Sequence, residues 1–216
     1  MYGVFKKEQE KLKKRLLAMS AMVEESLLRA VRAFEQNDAL AARKIIDGDE
    51  AIDELEVEIE EECLKVLALH QPVAVDLRFL AAILRINNDL ERIADLAVNI
   101  CIQTQHDPPM QCAFDISRIA SRARAMLKKS LDAFVNLDLD LAREVCRLDD
   151  EVDALNAENT DLAIQAIEQN PACVRRMLQA LRVSRNLERV ADLATNIAEV
   201  VIYITRGEIV RHKQNY

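Results

Sequence analysis

Residues 84–100 read LRINNDLERIADLAVNI, and residues 181–197 read LRVSRNLERVADLATNI. At a shift of 97 residues, 11 of these 17 positions are identical. A weaker match lies upstream. Residues 27–43 align with 127–143 at a shift of 100, sharing Leu, Ala-Phe, Asp and Ala-Arg, and Asp49 and Asp53 then fall on Asp149 and Asp153. Self-similarity at one long period marks a chain made of two copies of one unit, each about a hundred residues long.

Helix punctuation divides each copy into three. In the first, helices are expected over 4–36, 39–69 and 73–105. Asn37-Asp38 supplies a break and a cap, and Pro72 the next start. Ile52, Leu55, Ile59, Cys63 and Val66 recur at spacings of three and four, which marks one apolar helix face. Gly48 loosens that helix locally, because glycine costs about 1 kcal/mol in a helix interior. The second copy repeats the pattern over 113–136, 138–169 and 171–206, with Gly207 as a C-cap. Two successive prolines, Pro108 and Pro109, cannot continue a helix, so 106–112 is the expected linker between units 1–105 and 113–216. No segment alternates as a strand would. The expected fold is all-α: a tandem repeat of two antiparallel three-helix bundles, six long helices in total.

Composition narrows function. Among 216 residues there are 3 Gly, widely separated, so no glycine-rich loop can cradle a phosphate or dinucleotide. A net charge of −8 argues against a general nucleic-acid binder. The longest apolar run, 79–84, falls far short of the roughly 20 residues a membrane-spanning helix needs, and the start resembles no secretory segment. Five scattered cysteines (Cys63, Cys101, Cys112, Cys146, Cys173), none in a CxxC pair, read as reduced and mostly buried. A cytoplasmic protein without membrane insertion is expected. Lys6, Lys7, Lys11, Lys13, Lys14 and Arg15 form a basic patch, read mainly as a solvated face.

The duplicated segment carries the chemistry. At 100° per residue, Leu77, Leu84, Glu91 and Val98 share nearly one line, so Glu91 and its neighbour Asp95 interrupt an apolar stripe. Glu188 and Asp192 repeat that relation. The second helix of each half adds Asp49/Asp53 and Asp149/Asp153. If the second and third helices face each other, four acids converge per half. Such a cluster must raise its pKa values, recruit Arg or Lys, or bind a cation. An Arg partner is available at Arg85, Arg92, Arg182 or Arg189, and most of the ten acids over 47–62 read as a solvated face. The ligands are oxygens only. His70, His106 and His212 lie outside the motifs, with His70 and His106 at expected exposed turns, so hard or borderline ions (Mg, Mn, Fe, Zn) are favoured. No histidine accompanies a Ser or Cys in a nucleophile–base motif.

These residues resemble the PhoU family of phosphate-transport accessory and signalling proteins. The resemblance runs through both Asp/Asn-Leu-Glu-Arg-Ile/Val-Ala-Asp segments, the Asn-Ile-Ala-Glu run at 196–199, Gln71-Pro72 followed by Asp76-Leu77-Arg78, and the ending from Gly207. It implies tandem three-helix bundles and a cytoplasmic, non-catalytic regulator. That regulator would hold down phosphate uptake and the starvation response through the phosphate ABC transporter ATPase subunit and a sensor histidine kinase. It further implies metal at the acidic motifs, carried onto Glu91/Asp95 and Glu188/Asp192, with Asp49/Asp53 and Asp149/Asp153 as counterparts. Many relatives have Gly-Asp-His where this chain has Ala94-Asp95-Leu96 and Ala191-Asp192-Leu193, so a histidine contribution is lost. A homodimer is expected. The alternative reading is a metal-dependent enzyme or metal store using the same carboxylates.

Overall fold

In the computed structural model, residues 2–104 and 112–207 are described, all helical apart from short turns. The expected linker, 106–112, falls outside them except for Cys112, as do His106, His212 and the ending beyond Gly207. The elements are α1 (Tyr2–Gln36), α2 (Ala39–Gly48), α3 (Glu50–His70), α4 (Ala74–Ile102), α5 (Ile116–Asn136), α6 (Leu139–Gln169) and α7 (Val174–Arg206), with a 3₁₀ turn at Pro171–Cys173 before α7. The expected single helix over 39–69 is interrupted at Asp49. Gly48 ends α2 there, whereas the equivalent residue of α6 is Leu148 and α6 runs 31 residues without a break. Asp49 keeps helical dihedrals (φ −68, ψ −33), so α2 and α3 take the place of one helix of the six. Other bounds also differ from expectation: α1 begins at Tyr2 instead of 4, α4 ends at Ile102 instead of 105, α6 begins at Leu139 instead of 138, and α7 begins at Val174 instead of 171. Pro72 leaves Val73 extended (φ −124, ψ 161), and α4 begins one residue later; Asp115 caps α5, which begins at Ile116 instead of 113.

The corresponding turns of the two repeats use the same device. Asp38 accepts a hydrogen bond from Ala41 N at 2.9 Å, and Asp138 accepts from Asp140 N and Leu141 N, each at 3.0 Å. Both satisfy donors that a helix start leaves unpaired. The residue before each cap is left-handed: Asn37 at φ 54 and Leu137 at φ 52. Asparagine tolerates that conformation; leucine is strained by its Cβ.

Helices α4 and α7 form the centre. Each packs against the other helices of its own repeat, and α4 also packs against α7, while α1 meets α5. Contacts between repeats recur with roles exchanged. Arg182 near the start of α7 donates to Gln103 Oε1 past the end of α4 (3.4 Å), and the Arg78 guanidinium near the start of α4 lies beside Gly207 at the end of α7. The two central helices are therefore antiparallel and related by a pseudo-twofold axis. Phe79 stacks on Phe134 of the other repeat at 6.0 Å, and Arg176 sits 4.2 Å over the Phe34 ring while donating to the Phe34 carbonyl. Lys13 of α1 donates to the Val135 carbonyl at 2.9 Å, another strut between repeats. Leu80, Ile83, Ile86, Leu90, Ile93, Ala97 and Ile100 of α4 are sealed from solvent, each large aliphatic contributing roughly 1.5–3 kcal/mol through burial.

Four of the five cysteines are buried and all are free, as expected. The reading of His70 is corrected: it is not a solvent-exposed turn residue. Its side chain is 15% exposed, held by Glu8 Oε2 at 2.6 Å and packed against Phe5, because α1 lies over the end of α3. Among the described residues, no helix is long and apolar enough to cross a membrane.

Relieving the left-handed strain tests this account of the turns. Leu137→Asn, copying the residue of the first repeat, is expected to stabilise the protein by about 1 kcal/mol in urea unfolding. An unchanged or lowered midpoint contradicts the assignment.

Candidate functional site: two half-buried carboxylate clusters

In the first repeat, Asp49 stands at the junction of α2 and α3, Asp53 in the first turn of α3, and Glu91 and Asp95 in the middle of α4. Both α2 and α3 pack on α4, which brings the four together. Burial pushes Asp49 up to about 6, with the charges of Asp53 and Asp95 adding to it. Glu91 is raised first by burial, then by Asp95, Asp53, Glu56 and Asp49. The charges of the four expected acids act on one another, while Asp53 and Asp95 stay exposed to water.

The second repeat reproduces this between α6 and α7. Asp149 is pushed up to about 6 by burial and by Asp192 and Asp153. Thr195 lies beside it and draws it partway back, yet Asp149 Oδ1 and Thr195 Oγ1 are both left without a partner at hydrogen-bond geometry. Glu188 and Asp192 are raised mainly by burial, with Arg185 and Arg189 opposing the rise.

The apolar stripe that led to Glu91 is the margin of the core and not its centre. Leu77 on that line is 45% exposed, and Leu84, Glu91 and Val98 are half-buried. Asp53, Asp95, Asp153 and Asp192 are exposed. Each cluster therefore sits at the rim where two helices meet, with one wall apolar and the other open to water. Part of the long acid run is also absorbed by ion pairs, since Arg15 binds Glu58 and Glu62, and Lys11 binds Glu62.

Two features escaped the sequence reading. Glu56 reaches the first cluster, where Asn87 donates from Nδ2 to the Glu56 carbonyl (2.9 Å) and to Glu56 Oε1 (3.1 Å). Glu56 lies three residues beyond Asp53, and Asn87 four before Glu91, so following each face one more turn would have found them. In the second repeat, the same layer is neutral: Asn159 donates to Ser184 Oγ (3.0 Å), which donates to Asn156 Oδ1 (2.8 Å).

The clusters fit a hard cation by donor chemistry. Asp49 Oδ1 and Asp149 Oδ1 are buried oxygens without hydrogen-bond partners, a costly arrangement that a cation would relieve, while Glu188 Oε2, also without a hydrogen bond, faces Arg185 Nε at 3.6 Å. Among the described residues, no group of three or more His, Cys, Asp or Glu side chains stands already arranged to hold a metal ion, so binding requires side-chain movement.

The fold and these paired rims define a duplicated helical-bundle protein with one acidic rim per repeat. The family pattern described as the PhoU domain matches residues 16–104 and 116–201, one match per repeat. The chain is 35% identical over 212 residues to the phosphate-specific transport system accessory protein PhoU homolog of Pseudomonas putida, covering 96% of this chain and 83% of that one. It is 31% identical over 216 residues to the corresponding accessory protein PhoU of Escherichia coli, covering 97% and 88%. The crystal structure of PhoU from Pseudomonas aeruginosa superimposes with a TM-score of 0.89 at 34% identity, covering 94% of this chain and all of that one. The chain belongs to the PhoU family of phosphate-transport accessory and regulatory proteins, a non-catalytic family.

The raised carboxylates predict an unusual pH response without metal. Asp49 and Asp149 titrate at about 6 in the fold against 3.8 ordinarily, so the fold binds more protons than the unfolded chain between those values. Their stabilising contribution is complete below the unfolded value and is lost as pH rises through about 6. In chelator, the urea midpoint of the wild type should fall over that window, and D49N/D149N should flatten the decline. Identical profiles for the two proteins would contradict the assignment.

Proposed function

We propose that this chain is a non-catalytic adaptor in the cytoplasm that restrains phosphate uptake and phosphate-starvation signalling. It contacts the ATPase subunit of a phosphate ABC transporter and the cytoplasmic part of a sensor histidine kinase. The observation that carries the reading is likeness along the whole chain, in both repeats, to proteins named for accessory and regulatory roles in phosphate transport. Long rigid helices suit an adaptor, since about 30 residues of helix present some 45 Å of fixed surface. The same reading includes a homodimer.

Cations at the two rims belong to this proposal. Glu91, Asp95, Asp49 and Asp53 would hold one site, and Glu188, Asp192, Asp149 and Asp153 the other, through hard oxygen ligands suited to Mg, Mn, Fe or Zn. A bound cation would supply positive charge at a negative rim and reverse the local electrostatics there. The support is the unpartnered buried oxygen at Asp49 and its repeat at Asp149.

Two measurements test the proposal. The purified chain is expected to retain the ATPase subunit and the kinase cytoplasmic domain in a pull-down at high phosphate; capture of neither, at high or low phosphate, overturns the adaptor role. Metal analysis is expected to show a loss of bound metal in E91Q/D95N/E188Q/D192N relative to wild type. Equal metal content would mean that these acids are not ligands.

A further inference from the structure

We propose that the two carboxylate clusters are unequal cation sites, the first-repeat cluster binding the tighter, with the residue at position 185 setting the difference. This rests on the reading of the clusters as cation sites given above. The repeats align in sequence at a shift of 100 through the second helix and 97 through the last, so each departure between them can be read as a change at one place in one site.

Three departures act in the same direction. Arg185 replaces Asn88 of the first repeat; its Nε lies 3.6 Å from Glu188 Oε2, whose side chain is 14% exposed. Asp89, almost buried, is replaced by Asn186 in the second repeat. Asp89 Oδ1 stands 3.7 Å from Arg92 Nη1, which draws that arginine from the cluster, whereas its counterpart Arg189 acts on Glu188 and Asp192. Finally, Glu56 gives the first cluster a fifth carboxylate where the second has Asn156.

The consequence is a difference in uncompensated charge. Carboxylate charges act on Asp49, Glu91 and Asp149 alike, while two arginines act on Glu188 and Asp192 of the second cluster. A guanidinium a few ångströms from a carboxylate competes directly with a metal for the same oxygens. Asn87 adds an independent sign of a ligand site in the first repeat. It is 1% exposed, its amide nitrogen holds the Glu56 carboxylate at the cluster, and its Oδ1 is buried with no partner. A divalent cation thus meets more free negative charge in the first repeat, and must displace an arginine in the second, where Thr195 offers the neutral oxygen that Asn87 offers in the first.

The test titrates Mn²⁺ alone into the metal-stripped full chain, following free Mn²⁺ by electron paramagnetic resonance. Wild type should show two classes of site differing by about tenfold or more, the order expected for one charge a few ångströms away at a half-exposed rim. E91Q/D95N should remove the tighter class and E188Q/D192N the weaker. R185N should strengthen the weaker class, and N88R should weaken the tighter by about tenfold; both positions are exposed, so these variants test charge without disturbing the core. If binding depends on the carboxylates but the classes are equal, or ignore R185N and N88R, the inequality is overturned and the cation reading stands. If no Mn²⁺ binding depends on these carboxylates, both fall together.

Discussion

The antiparallel packing of α4 against α7 is the constraint on which everything else depends. Each central helix touches the other helices of its own repeat and its counterpart across the pseudo-twofold axis, so most of its circumference must be apolar. What remains is a narrow rim facing α3 or α6, and in both repeats that rim carries a glutamate and an aspartate four residues apart. Like charges so placed weaken a helix by a few tenths of a kcal/mol, a cost that a well-packed centre tolerates. The core thereby permits a strained electrostatic feature at its edge.

Duplication explains why the feature occurs twice, and divergence explains why the two copies are unlike. The second repeat lacks the fifth carboxylate, has an arginine beside Glu188 and carries Asn186 where the first has a buried acid. It is also the more regular scaffold, with Leu148 in place of Gly48 and an unbroken α6, and with a neutral layer of Asn156, Asn159 and Ser184 linked by hydrogen bonds. The first repeat keeps a helix break at Asp49, which is also the residue whose carboxyl is most perturbed there. A break and a buried acid at one point place an unpartnered oxygen where backbone and side chain can both adjust.

Most of the site could be read before any coordinates. Periodicity placed Glu91 and Asp95 together, and repetition separated Asp49 and Asp53 from the other acids of their helix. The reading of Glu91 within an apolar stripe was right about proximity and wrong about depth, because a line drawn on one helix does not say how far the neighbouring helix overhangs it. Glu56 was hidden for a different reason: ten acids in sixteen residues look alike until a partner such as Asn87 singles one out. His70 shows the same limit. A turn position implies exposure, but α1 extends over the end of α3 and covers it.

The sequence by itself determined the duplication, the all-helical class, the capping turn at Asp38, and the four pairs of acids, because each is a local pattern written at helical spacing. The tertiary structure alone decided which oxygens lose water, which arginine stands against which carboxylate, and how the two repeats face each other. Those properties depend on distances between residues remote in the chain. Electrostatic energy varies with separation and exposure, and neither is encoded in any single helix.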